Sequence, residues 1–242
     1  MKKKTGIIIG CAVLVLVIAA AAFFGIRITD LERQNAYIDQ VNELAETVDT
    51  EYISEIDRDA FNTIIDSRVC KGKYAKLENA VKSYYKAIYE IQFQSEDALQ
   101  NSSYDQMLMP ENLKADGPEF EKSRAELAQL SETVDSCISQ YNELTAEEKA
   151  KQYFAETGLS KKYESLFNDA VSITSGTSEN AYIESLQSPK KTISAISAVL
   201  DYLTETKNQW SVDGEKIVFN NKDAADKYGE YIAALEAAQA NQ

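Results

Sequence analysis

Tyr74, Leu77, Val81, Tyr84, Ile88 and Ile91 follow one another at steps of three and four. An α-helix makes a turn every 3.6 residues, so this spacing places all six side chains on one face. The spacing predicts a helix over about 73–100. The rest of the chain offers few places to interrupt such elements. Its 242 residues include 3 prolines and 9 glycines, and scarce breakers favour long helices over many short strands.

The same periodicity recurs along the chain. Leu31, Ile38, Val41, Ala45, Val48 and Tyr52 outline an earlier helix. Phe61, Ile64, Ile65 and Val69 outline a shorter one over 59–69, with Gly72 as a turn. Residues 101–117 lose the pattern at Asn101, Pro110 and Gly117 and read as a loop. Pro118 then opens a helix with a seam of Phe120, Leu127, Leu130, Val134, Cys137, Tyr141 and Leu144. Thr145-Ala146-Glu147-Glu148 has the form of a capping box, and the helix after it should end by Gly158. Ser160 can cap another helix, with Tyr163, Leu166, Phe167 and Ala170 inward. Residues 175–178 read as a Ser/Thr/Gly loop. Ser188-Pro189 should open a helix with Ile193, Ile196, Leu200 and Leu203 inward.

One stretch departs from helix. Trp210 and Val212 alternate with polar residues, Asp213-Gly214 comes next, and Ile217 and Phe219 alternate in turn. Asp-Gly between alternating apolar residues predicts a β-hairpin at about 209–220. A lone hairpin is marginal in water, so its Trp210/Phe219 face should pack on helices. Asn221 can cap a last helix bearing Tyr228, Ile232 and Leu235, with residues 237–242 frayed. The expected fold class is all-α: an antiparallel helical bundle with one small C-terminal hairpin, preceded by a transmembrane helix.

That transmembrane expectation rests on residues 6–26, which carry no charge. A helix of that length spans about 32 Å, close to the hydrocarbon thickness of a bilayer. Lys2, Lys3 and Lys4 precede it and Arg27 comes after, so the larger positive cluster should stay cytoplasmic. The chain then divides into cytoplasmic lysines and anchor over 1–27, and an extracytoplasmic helical domain over 28–242. Two other readings export the domain equally. Ala20-Ala21-Ala22 could precede a signal-peptidase cut, although Phe23, Phe24 and Ile26 prolong the apolar run. Ile8-Ile9-Gly10-Cys11 has lipobox form, but too little apolar sequence lies before Cys11.

Composition excludes much chemistry. There is no histidine, so Ser–His and Cys–His pairs and His-ligated metal sites are absent. Net charge is −14 with every N-terminal charge positive, so the exported part is strongly acidic. Such a domain repels nucleic acid and anionic lipid. No calcium loop, P-loop or dinucleotide fingerprint occurs. No cofactor is expected. Asp57/Asp59, Glu96/Asp97 and Glu147/Glu148 are the densest carboxylates and read as solvated helix faces, with glycoside hydrolysis as the catalytic alternative. Cys70 and Cys137 could form a disulfide outside the cytoplasm; otherwise Cys137 is a small seam residue. Tyr84, Tyr85 and Tyr89 stand within two turns. They read as the wet edge of a core, with ligand or partner contacts that grip a glycan or peptide as the alternative, since Tyr presents an apolar ring with a polar tip.

The region 73–89, the Gly117-Pro118-x-Phe120 helix start and the Trp210…Phe219…Tyr228 pattern resemble uncharacterised single-pass, exported helical proteins of Gram-positive bacteria. The resemblance implies fold and location and carries no functional residue with it. The expected function is a membrane-anchored extracytoplasmic module that binds a protein or cell-envelope component without catalysis. The alternatives are a ligand-binding or sensory accessory domain with a pocket between helices, and a carboxylate-based envelope hydrolase.

Overall fold

The structure, a computed structural model, describes residues 28–48, 53–175 and 177–240. It is mostly helical, with one two-stranded antiparallel hairpin near the C-terminus. Among the described residues no helix is long and apolar enough to cross a membrane. The expected span at 6–26, its flanking lysines and Arg27, and Tyr52 lie outside them. Where the sequence offers one domain over 28–242, the chain divides into two compact units, Met1–Phe93 with Gln140–Asn180, and Gln94–Ser139 with Ala181–Gln242.

The first unit begins with α1 (Ile28–Thr47), whose buried stripe is Gln34, Tyr37, Ile38, Val41 and Leu44. Leu31, expected on that stripe, is 41% exposed. The bulky Tyr37 ring fixes the rotation of α1 instead, and its hydroxyl donates to the Leu166 carbonyl at 3.0 Å. Asp57 starts α2 (Arg58–Asp66), accepting from the Asp59 and Ala60 amides at 3.0 Å each. That satisfies two of the orphan donors of a helix start. Phe61 and Ile65 are the buried anchors. The helix ends three residues earlier than its apolar pattern, because Ser67 turns extended (ψ 155°). Val69 is consequently half exposed rather than inward.

Next comes α3 (Lys73–Asn101), with all six residues of its predicted seam buried. The capping box at 145–148 does not form. Thr145 belongs to the end of α5 (Glu121–Thr145), where its hydroxyl donates back to the Tyr141 carbonyl at 2.8 Å. Ala146 takes the cap position of α6 (Glu147–Glu156) without a side-chain bond. Gly158 turns the chain with φ +65°, and Ser160 precedes a 3₁₀ turn at Lys161–Tyr163 with no side-chain cap. Then α7 (Glu164–Ser175) turns Phe167, Ala170 and Val171 inward. Phe154 meets Phe167 with ring centres 5.8 Å apart.

In the second unit the expected loop at 101–117 contains structure. A 3₁₀ turn at Tyr104–Gln106 is succeeded by α4 (Pro110–Asp116). Pro110 sits at the helix start, where a missing N–H costs nothing, and the fully buried Leu113 anchors the turn. Asp116 then caps α5, accepting from the Lys122 and Ser123 amides at 3.2 and 2.8 Å. The helix therefore starts three residues after Pro118. The loop expected at 175–178 is likewise helical on both sides of residue 176, and α8 runs Thr177–Glu205. Pro189 lies inside α8 rather than opening it. Pro189 removes one hydrogen bond. Buried Tyr182 and Leu186 before it, and Ile193 and Ile196 after it, hold the helix through that loss.

Strands β1 (Trp210–Asp213) and β2 (Lys216–Phe219) pair Trp210 with Phe219 and Val212 with Ile217. The connection is Gly214-Glu215, with Gly214 at φ +61°, a glycine-first two-residue turn. Trp210 stacks on Phe120 at 6.0 Å, and its indole N–H donates to the Leu203 carbonyl at 2.7 Å. Phe219 meets Tyr228 at 5.1 Å. The hairpin is thus supported by helices, as a lone hairpin requires. The Asn221 side chain accepts from the Ala224 amide at 2.8 Å and starts α9 (Lys222–Gln239). That helix persists two residues beyond 237, where fraying is expected.

Candidate functional site

Tyr84, Tyr85 and Tyr89 are core residues of the first unit, 0%, 0% and 8% exposed. Tyr85 stacks on Tyr89 (6.2 Å, 16°) and donates to the Ala170 carbonyl at 3.1 Å. Tyr84 meets Tyr153 edge-on at 5.4 Å, and Tyr89 lies 5.2 Å from Phe61. Burial drives the Tyr85 hydroxyl far above its ordinary pKa. None of the three is placed to meet a ligand arriving from solvent.

Cys70 and Cys137 are both buried free thiols, the first in the Met1–Phe93 unit and the second in the other. Burial, then the Glu78 carboxylate, pushes the Cys70 thiol up to about 12. Burial alone raises Cys137. A thiol held protonated is a poor nucleophile.

One carboxylate of each pair has structural employment. Asp57 caps α2, Glu96 accepts from the Gln100 side-chain Nε2 at 2.6 Å, and Glu147 pairs with Lys151 one turn on. Among the described residues no cluster of three or more carboxylates or thiols could hold a metal ion.

Two arrangements stand out chemically, and neither the motifs nor the apolar spacing of the chain points to them. The first is a buried ionic node in the Met1–Phe93 unit. Lys82 and Glu78 are 3% and 2% exposed and pair at 2.7 Å along α3. The Lys82 ammonium also reaches the Ser67 hydroxyl (2.7 Å), the Ser67 carbonyl (3.0 Å) and the Gln40 Oε1 (3.0 Å). Glu78 accepts from the Val69 and Cys70 amides at 3.1 and 3.0 Å. Burial alone would push the Glu78 carboxyl up. Lys82 and the two amides outweigh it and hold the group below the usual carboxylate range. Beside the node a void of about 10 Å³ is lined by Gln40, Glu78 and Lys82 together with Tyr37, Val41, Leu44 and Val81. It has room for about one water molecule.

The node explains the extended residues after α2. Leaving the helix at Ser67 frees backbone groups that must find partners, and the α3 pair supplies them. A signal for it exists in the sequence. Glu78, Lys82, Tyr85, Tyr89 and Gln92 form a second stripe at steps of four and three beside the predicted seam, and all five are buried. A charged pair at i,i+4 reads by habit as solvated.

The second arrangement is a groove of about 580 Å³ in the other unit, between α8 and α9. It is lined by Ala195 and Ala198 of α8 and Ala234, Ala237 and Ala238 of α9, together with Gln187, Lys190, Lys191 and Ser194. Lys190 pairs with Asp135, and the Ser188 hydroxyl reaches the Ala238 carbonyl at 3.3 Å. Methyl side chains leave the helix backbones near the surface and the groove open along its side.

No protein-family model, no curated protein and no solved structure matches this chain.

Proposed function

We propose that this chain is a membrane-tethered, extracytoplasmic helical module that binds a protein or cell-envelope component and performs no catalysis. Binding of a large partner is supported by one observation, the open shape of the α8/α9 groove. Small-molecule sites usually enclose most of their ligand. An open trough lined largely by alanines suits a helix or extended segment lying along it. The void beside Lys82 is too small to support the ligand-binding alternative. The tether is supported by the sequence: an uncharged stretch at 6–26 behind three lysines, leading to an acidic remainder.

The test is site-specific photocross-linking on intact cells from Ala198 and Ala234. A reproducible envelope adduct is expected from both positions, and Ala195→Arg should abolish it while leaving helix content unchanged. Free chain only, from both positions, defeats the binding reading.

A further inference from the structure

The Lys82 node contains more than a paired charge needs. Lys82 Nζ sits 3.0 Å from the amide oxygen of Gln40, and the amide carbon is one C=O bond, about 1.2 Å, behind that oxygen. The Glu78 Oε1 lies 2.7 Å from the same nitrogen. The Ser67 hydroxyl stands 3.1 Å from the Gln40 oxygen and 2.8 Å from the Ile64 carbonyl, and has one proton to give to either. On the far side of the amide, Gln40 Nε2 donates to Glu43 at 2.7 Å. An amine, a base, a polarised carbonyl and a leaving amine group oriented away from the attack are the parts of an acyl transfer.

We propose that Lys82 and Gln40 are the two halves of an intramolecular isopeptide bond that joins α3 to α1, with Glu78 as the proton carrier. Against the bonds that keep Glu78 ionised, and with the burial that penalises both charges, the Lys82 ammonium passes Glu78 a proton transiently, and the freed lone pair attacks Gln40 Cδ. The carbonyl electrons move to Oε1, where the Ser67 hydroxyl stabilises them. The Cδ–Nε2 bond then breaks as the tetrahedral centre collapses. The departing nitrogen takes up the proton held by Glu78 and the one lost by Lys82 Nζ on forming the amide. One ammonium and one amide become one secondary amide and an ammonium ion, and Glu78 returns to carboxylate. No oxidant, reductant or other reactant is required.

Two features of the surroundings favour the step. Gln40 and Lys82 stand on α1 and α3, which the core already fixes, so Nζ has only to shift from the amide oxygen it bonds to the carbon beside it. The void beside them, about 10 Å³, is lined by Gln40, Glu78 and Lys82 together with Tyr37, Val41, Leu44 and Val81, so no more than about one water molecule competes for the amide carbon. The charged pair itself does not require Gln40, since the Ser67 carbonyl, the Ser67 hydroxyl and Glu78 already match the three protons of an ammonium.

Peptide mapping of the full chain, extracted from membranes and stored folded, tests the bond. The expected result is a branched peptide carrying Gln40 on one arm and Lys82 on the other, lighter than the two linear peptides by one ammonia. Lys82→Arg should keep the charge and eliminate the branch. Glu78→Gln should reduce the branched fraction at least tenfold, with helix content as a check on folding. Should Glu78→Gln fail to fold, the wild-type map alone decides. Recovery of Gln40 and Lys82 only in linear, unmodified peptides overturns the proposal.

Discussion

Phe120 holds φ at +54°, in the left-handed region that a residue with a Cβ enters at a cost of roughly 1–2 kcal/mol. Its ring is fully buried on Trp210, and that burial offsets the backbone cost. Phe120→Ala should therefore lower stability by about 3–5 kcal/mol. Phe120→Gly should lose less than alanine by about 1 kcal/mol, since it relieves the backbone. Urea midpoints of the two variants check the order. Gly117 is constrained differently: a Cβ there would stand 2.3 Å from the Leu113 carbonyl oxygen. Gly117→Ala should cost about 1–3 kcal/mol by the same measurement. At the two cysteines the expectation is chemical. With its thiol near 12, Cys70 is almost wholly protonated at pH 8, and it and Cys137 are shielded from solvent. Iodoacetamide should leave both unmodified in the folded chain and label both in urea, as peptide mass would show. The sequence marked Cys137 as a seam residue correctly. It offered no means to place Cys70, whose backbone amide donates to the Glu78 carboxylate of α3.

At the scale of elements, spacing located α3 almost to the residue, because its apolar side chains outnumber anything that competes for the same face. The failures lie where a single side chain decides the outcome. Ser67 ends α2 early, Thr145 bonds back to its own helix, and Pro189 is carried inside α8 by the buried residues flanking it. The Gln40 and Ser67 partners of Lys82 were illegible for the same reason: each comes from a different element. The start of α5 offers a measurable case. Burial would raise the Asp116 carboxyl, but bonds from the Ser123 amide and hydroxyl and the Lys122 amide leave it below its ordinary value. A carboxyl lowered in the folded state stabilises fully above its unfolded pKa, near 3.9, and loses that contribution as pH falls through its folded value. Asp116→Ala should cost about 1–2 kcal/mol near neutrality. The gap from wild type should shrink below about pH 4, which urea midpoints across pH would reveal.

For the whole molecule, topology is the property with most consequence. An alkaline phosphatase fusion after residue 30 should be active, and a cytosolic reporter at the same place inactive, if residues 6–26 export the remainder of the chain. The reverse pattern removes the tether from the proposed function. If the chain is held there, any tension on it enters the first unit at the start of α1. Among the described residues the first grip it meets is Asp30 on Lys73, at 2.7 Å, with the Lys73 ammonium also lying over the rings of Tyr74 and Tyr163. Beyond it come the Tyr37 hydroxyl on Leu166 and then Gln40 on Lys82. Pulling thus unfastens α1 one catch at a time, from the membrane side inward. A covalent third catch would halt that unfastening at residue 40 and leave the rest of α1 seated under load.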